Sequence, residues 1–321
     1  MAAASTAIPL APVASATQHT IPESPIDSVS PLSSDSVTVS IDLGIRAPFA
    51  AIQQLFDHLH AHPENASELN STYPRRGIMK TAALSNGSSD QKFTIDLSPK
   101  RSSLIPASLR ESLAPHGLDD TLSFFETLNT VYVPSILSSL SGLAGVDLAA
   151  AHKEGNMNFR LCDYHPDTAA PESSNGCGAH TDYGTFSIIF QDGTPGLELE
   201  DADGKWKAVP GDATVILTGW CALILSGGSI RAAKHRVRRA PGVRRLSAVL
   251  FVAPDTSMKL KPLDGTKPAQ SLSDRIMRGD IDVEHFKEAM GNRWRYREGN
   301  EDMADGASAT QDEDIEKLVW G

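Results

Sequence analysis

His180 and Asp182 stand two residues apart in "GCGAHTDYGTFSIIF", at the entrance to an apolar run. Successive side chains of a strand point to opposite faces, so residues i and i+2 share one face. An extended backbone here aims one nitrogen and one oxygen donor at the same point. A bare His-x-Asp is more often surface decoration, and the chain holds another, His165-Pro166-Asp167, in a proline-containing loop. A third donor changes its meaning. His235, in "KHRVRRAPGVRRLSAVLFVAP", follows several short apolar segments later. Two histidines and one carboxylate on one face of a metal leave positions open, which suits Fe(II) oxygen chemistry. A structural zinc site is more often closed by a fourth protein ligand. Without its neighbours, His235 reads as a solvated histidine among Lys234, Arg236, Arg238 and Arg239.

Arg245 and Ser247 repeat the i, i+2 spacing at the start of a strand that is otherwise apolar from Ala248 to Ala253. An inward guanidinium there needs a partner, because an unpaired buried charge is prohibitively costly. Arginine grips a carboxylate through two parallel hydrogen bonds, and a nearby hydroxyl adds one more. A small dicarboxylate is the natural partner; a surface arginine or an internal ion pair is the alternative.

These residues need strands to position them. From Met157 the apolar period is short: "MNFRLCDY", "GTFSIIFQD", "LELEDADGKWKAV", "ATVILTG", "ALILSGG" and "RRLSAVLFVAP" are bounded by Gly, Pro or Asp. Asp203-Gly204 marks a hairpin, and so many short strands imply a closed or two-sheet β architecture. Before them come a strand pattern in "SVTVSIDLG" and helical patterns in "PFAAIQQLFDHLHAH" and over about 119–143. Pro134 should kink or divide the second helix. A last helical pattern covers about 271–297. The expected organisation is a disordered Ala/Ser/Pro-rich arm over 1–36, a helical region over 37–156 packing on the core, a β catalytic core over 157–256, and a C-terminal helix with a mobile acidic tail over 257–321. Residues 63–118 give no clear pattern.

In order and spacing, His180-Thr181-Asp182, His235 and Arg245-Leu246-Ser247 resemble the iron- and 2-oxoglutarate-dependent dioxygenase superfamily, in the branch that includes isopenicillin N synthase and the plant flavonoid oxygenases. "GLELEDADGKWKAVPGDATVILTG", "SGGSIRAAKHRV" and "RLCDYHP" resemble that branch's hairpin, second-histidine segment and Tyr-Pro segment. The likeness is good from Met157 to Pro254 and general before that. It implies a mainly β fold with flanking helices (α+β), a double-stranded β-helix or jelly-roll core. It also implies Fe(II) held by His180, Asp182 and His235, with Arg245 and Ser247 binding 2-oxoglutarate and O2 as the oxidant. The implied reaction couples decarboxylation of 2-oxoglutarate to hydroxylation, desaturation or ring formation on a small molecule of specialised metabolism. The alternative is a 2-oxoglutarate-independent oxidase of the isopenicillin N synthase type, with Arg245 reserved for a substrate carboxylate. A rival outside enzymes is a catalytically silent β-helix that binds a ligand or protein; an intact ligand set counts against it.

Two departures from the family pattern stand out. His165 occupies the position before Pro166 where the family has a co-substrate-binding tyrosine, so His165 is the expected co-substrate contact, with Tyr164 pointing the other way. Trp220 stands in "LTGW", where the family has Asn-x-Gly-Asp; it either walls the substrate pocket or packs in the core. Phe251, on the face of Ser247, has the same two readings.

The net charge of −11 argues against a nucleic-acid partner, since phosphate contacts need a basic face. No stretch offers the roughly 18 uninterrupted apolar residues of a membrane span. Cys162, Cys177 and Cys221 are dispersed as in proteins of a reducing compartment, and no secretion signal is seen, so a cytoplasmic location is expected. Oligomeric state is not legible.

Overall fold

In the computed structural model, which describes residues 30–31, 38–40, 45–73, 79–80, 92–169, 174–268, 271–297 and 311–321, the short apolar segments form two antiparallel sheets. The strands are β1 (Ser30–Pro31), β2 (Thr38–Ser40), β3 (Met79–Lys80), β4 (Phe93–Leu97), β5 (Met157–Tyr164) and β6 (Asn175–Thr181). They continue with β7 (Phe186–Gln191), β8 (Leu197–Glu200), β9 (Trp206–Ala208), β10 (Val215–Thr218), β11 (Lys234–Arg238) and β12 (Arg245–Val252). The larger sheet runs β1-β2-β10-β7-β12-β5-β4-β3 and the smaller β6-β11-β8-β9. This is the double-stranded β-helix, with helices outside it.

The central strand β12 explains the layering. Leu246, Ala248, Leu250 and Val252 point outward into one apolar cluster, whereas Val249 and Phe251 belong to a second one between the sheets. A strand covered on both faces reads as a continuous apolar run, as "LSAVLFV" does. Helix α1 (Phe49–Ala61) buries Ile52, Leu55, Phe56 and Leu59 in the outer cluster. It is followed by α2 (Pro63–Ser71), α3 (Pro99–Ser103) and α4 (Ala107–Leu113). The predicted long helix is divided into α5 (Leu118–Thr127) and α6 (Val133–Ala144) by a π-helical turn over Leu128–Tyr132. The wider turn stands just ahead of Pro134, which lacks an N–H to continue an α-helical ladder.

Three expectations need correction. The 37–156 region is not helical throughout, since β4 joins the larger sheet beside β5. Its polar Thr94 and Asp96 are buried and stand opposite Cys162 and Arg160, while Ile95 and Leu97 enter the outer cluster; polarity on the inner face hid the strand. Within the expected arm, Ser30–Pro31 pairs with β2; residues 1–29 and 32–36, and Val37, Ile41 and Leu43 of the "SVTVSIDLG" pattern, lie outside the described residues. The C-terminal pattern forms α8 (Asp274–Arg278) and α9 (Val283–Arg297), and the acidic tail contains α10 (Gln311–Trp320). That last helix is packed: Ile315 and Val319 are buried in the outer cluster, and Ser273 Oγ donates to Leu318 O at 2.7 Å. Acidic residues masked an i, i+4 apolar pair. Helix α7 (Trp220–Leu225) completes the set. Among the described residues, no helix is long and apolar enough to cross a membrane.

Candidate metal centre and its pocket

Strand register brings the first two donors together. β6 and β11 pair antiparallel with His235 directly opposite His180, and their ring centroids are 4.2 Å apart. Asp182 follows just past the end of β6. Nε2 of His180 lies 3.5 Å from its Oδ1, and Nε2 of His235 lies 3.9 Å from its Oδ2. All three residues are buried, and one ligand atom from each falls within 4.8 Å of the others.

The imidazoles are oriented from behind. Nδ1 of His180 lies 2.8 Å from Gly178 O, and Nδ1 of His235 lies 3.2 Å from Ala233 O. A carbonyl only accepts, so each Nδ1 carries the proton and each Nε2 offers its lone pair to the shared centre. Ser187 Oγ donates to Asp182 Oδ2 at 2.5 Å. Burial alone would raise the Asp182 pKa; the neighbouring His235 and His180 and the hydrogen bond from Ser187 hold it at about 2. It is a carboxylate at any physiological pH.

The turn carrying Asp182 is fixed through its backbone. Trp220 N–H donates to Asp182 O at 2.9 Å. A Cβ on Gly219 would meet Asp182 O and Gly184 O at 2.5 Å each, so only glycine permits this approach. Trp220 itself does not wall the pocket. Its side chain lies in the outer cluster, 6.5 Å from the ring of Trp320, because it opens α7 on the far side of that turn. Trp220 is a core residue.

Arg245 sits deep in the same pocket, 2% exposed. Its Nη2 donates to Gln191 Oε1 at 2.9 Å and its Nε to Thr194 O at 3.2 Å. Gln191 is held in turn, its Nε2 donating to Pro210 O and Ala213 O. Nη1 of Arg245 is buried without a hydrogen-bond partner among the described residues. An orphaned cationic donor inside a pocket is costly unless a ligand answers it, and Ser247 lines the same wall.

The tyrosine question is settled by register. Tyr164 stands opposite Arg245, and Cys162 opposite Ser247; cross-strand neighbours share a face, so Tyr164 points inward. Its ring centroid is 5.1 Å from the Arg245 guanidinium carbon, and burial pushes its hydroxyl pKa up, keeping it a neutral donor. His165, expected as the co-substrate contact, faces out: its Nδ1 accepts from Asp167 N–H at 3.2 Å, and its ring lies by His60 and Phe93. The inner face of "RLCDYHP" therefore carries Cys162 and Tyr164, one residue out of step with the expected His165. Phe251 does line the pocket. Sequence reasoning missed Lys92, Arg160 and Gln191; only the alternation of Arg160, Cys162 and Tyr164 in "FRLCDY" could have shown the first of these strands' inner faces. The pocket holds about 460 Å3 of free space including its open mouth.

Residues 155–254 match the 2OG-Fe(II) oxygenase superfamily. The chain carries a 2OG-Fe(II) oxygenase domain. Its two named companions, Fe(II) and 2-oxoglutarate, fit the donor set: two imidazoles and a carboxylate for the metal, an orphaned guanidinium N–H for a carboxylate. The oxygenase domain is similar to the 2-oxoglutarate-dependent dioxygenase tropC of Talaromyces stipitatus, 38% identical over 51% of this chain and 55% of that protein. It is also similar to scopoletin 8-hydroxylase of Arabidopsis thaliana, 34% identical over 41% of this chain and 38% of that protein. The match thus spans about half or less of these relatives' lengths. A Neurospora crassa protein crystallised with alpha-KG and 5-formyluracil superposes with a TM-score of 0.58 at 18% identity, covering 78% of this chain and 84% of that one. The dioxygenase for auxin oxidation 1 of Arabidopsis thaliana, solved with 2-oxoglutarate, gives 0.54 at 20%, over 73% and 83%. Both share the fold.

Proposed function

We propose that the protein is an Fe(II)- and 2-oxoglutarate-dependent oxygenase that hydroxylates a small molecule of specialised metabolism. One observation carries this: of three convergent buried donors, His180 and His235 line the same pocket as an arginine with an orphaned N–H. His180, Asp182 and His235 hold the metal. Arg245, with Ser247 and the Tyr164 hydroxyl, binds the distal carboxylate of 2-oxoglutarate. When bound, Fe(II) and 2-oxoglutarate supply the oxidising power, O2 being consumed as 2-oxoglutarate becomes succinate and carbon dioxide and a substrate C–H bond is oxidised. The protein's part is positioning. Nδ1–H bonds to Gly178 O and Ala233 O aim the two imidazoles, Ser187 orients the carboxylate, and apolar Ile189, Leu197, Val237 and Val249 restrict water. Relatives named as hydroxylases support hydroxylation over other outcomes.

Anaerobic titration with Fe(II) and then 2-oxoglutarate tests this. A weak visible charge-transfer band is expected in the wild type and absent from Asp182→Ala. Iron binding without a band would favour the co-substrate-independent oxidase, which the superfamily match does not support; no iron binding would sink the enzyme reading.

A further inference from the structure

The turn that carries Asp182 rests on the start of α7. The first N–H groups of a helix lack partners inside it, and here the turn supplies them. Trp220 N–H donates to Asp182 O at 2.9 Å, Cys221 N–H to Tyr183 O at 3.0 Å and Gly184 O at 3.1 Å, and Gly219 N–H to Thr185 O at 3.1 Å. The same segment reaches the second histidine. Thr218 O accepts from Ala233 N–H at 2.9 Å, and Ala233 O is the acceptor that orients the His235 imidazole. Asp182 and His235 thus both take their position from residues 218–221.

Part of what holds that segment comes from the other end of the chain. The Trp220 indole N–H is buried without a hydrogen-bond partner among the described residues, so its ring is placed by packing. Trp320, the last residue of α10, meets it in an edge-to-face pair, the ring centroids 6.5 Å apart at 66°. α10 also packs on β6, the strand of His180. Its own seat is fixed: Ser273 N–H donates to Val319 O at 2.8 Å and Ser273 Oγ to Leu318 O at 2.7 Å. One helix therefore touches the supports of the whole donor set. It does so from outside, since none of its described residues lines the pocket.

We propose that α10 is a positioning element of the metal centre: Trp320, acting through Trp220, couples docking of the tail helix to Fe(II) binding. Without Trp320 the Trp220 ring loses a wall, and a close-packed interior transmits the resulting shift to the backbone that holds the Asp182 carbonyl. Linkage makes the effect mutual: if docking strengthens Fe(II) binding by some factor, Fe(II) strengthens docking by the same factor. The inference rests on the proposed function insofar as His180, Asp182 and His235 are given to iron.

Two measurements on the full chain test this. In anaerobic calorimetric titration, Trp320→Ala should raise the Fe(II) dissociation constant about three- to tenfold, the scale of one aromatic pair. Trp320→Phe should keep it within about twofold of the wild type. Leu55→Ala, which empties a core site in α1, controls for general destabilisation: it should lower the melting temperature and leave Fe(II) affinity unchanged. The second measurement needs no variant. Saturating Fe(II) should slow hydrogen exchange of the α10 amides about threefold or more beyond any slowing in α1, which reads global stabilisation. Wild-type affinity in Trp320→Ala, an equal loss in Leu55→Ala, or α10 exchange that follows α1 would each overturn the coupling. A wild-type chain that binds no Fe(II) is a different result: it overturns the assignment of the three ligands, and the coupling with it.

Discussion

Ser187 Oγ donates to Oδ2 of Asp182 across 2.5 Å, joining the start of β7 to the turn after β6. Such outer contacts set the orientation of a ligating carboxylate, and their loss typically weakens metal binding about 10- to 100-fold. Ser187→Ala should therefore raise the Fe(II) dissociation constant by that amount while the fold persists. Metal titration beside a melting curve checks this; unchanged affinity would show that Asp182 is held by its backbone alone.

Arg245 depends on Gln191. Arg245→Ala should raise half-saturation by 2-oxoglutarate about ten- to a hundredfold, because a charge-assisted hydrogen bond is worth roughly 1.5–3 kcal/mol. Gln191→Ala should cost about tenfold by freeing the Arg245 side chain. The band titration reads both, and equal affinity in all three proteins would remove Arg245 from the co-substrate site.

Gly219 lets two backbones touch. Gly219→Ala places a Cβ 2.5 Å from the carbonyl oxygens of Asp182 and Gly184, and overpacking of this kind costs about 1–3 kcal/mol. Lower stability together with weaker metal binding is expected, read by denaturant unfolding with and without Fe(II). A stable variant with normal metal affinity would refute this coupling.

Burial lowers the pKa of His152 and His60, and burial with the neighbouring His116 and His62 lowers that of His58. His152 is fully used when neutral: Nδ1 donates to Leu148 O and Nε2 accepts from Thr185 Oγ1, each at 2.7 Å. The unfolded chain takes up these protons near the ordinary value of about 6.5, the folded one only at lower pH. Stability is thus complete above that pH and lost as pH falls through it. The melting temperature should drop between pH 7.5 and 5.5, and His152→Gln should flatten the drop while lowering stability at pH 7.5.

The C-terminal helix is part of the core. Ile315→Ala should cost about 2–4 kcal/mol, as for other buried large-to-small changes, and a denaturation curve checks it. A change near zero would mean that α10 does not stay docked.

Much of the site was legible in the sequence because it depends on local rules. The i, i+2 spacings of His180 with Asp182 and of Arg245 with Ser247 fix which donors share a face, whatever the rest of the chain does. The short apolar segments from Met157 onward likewise announced strands. Register was not legible. Which residue faces His180, or Arg245, follows from long-range pairing, and a one-residue slip exchanges inside for outside; so the place before Pro166 points to His165, whereas pairing with β12 turns Tyr164 inward. Lys92, Arg160 and Gln191 were hidden because polar residues on an inner wall imitate a solvent face. The tail helix was hidden because its two buried aliphatics stand among acids. Spacing alone determined which residues could meet a metal. Tertiary pairing decided what surrounds them, because a pocket's walls come from strands distant in sequence.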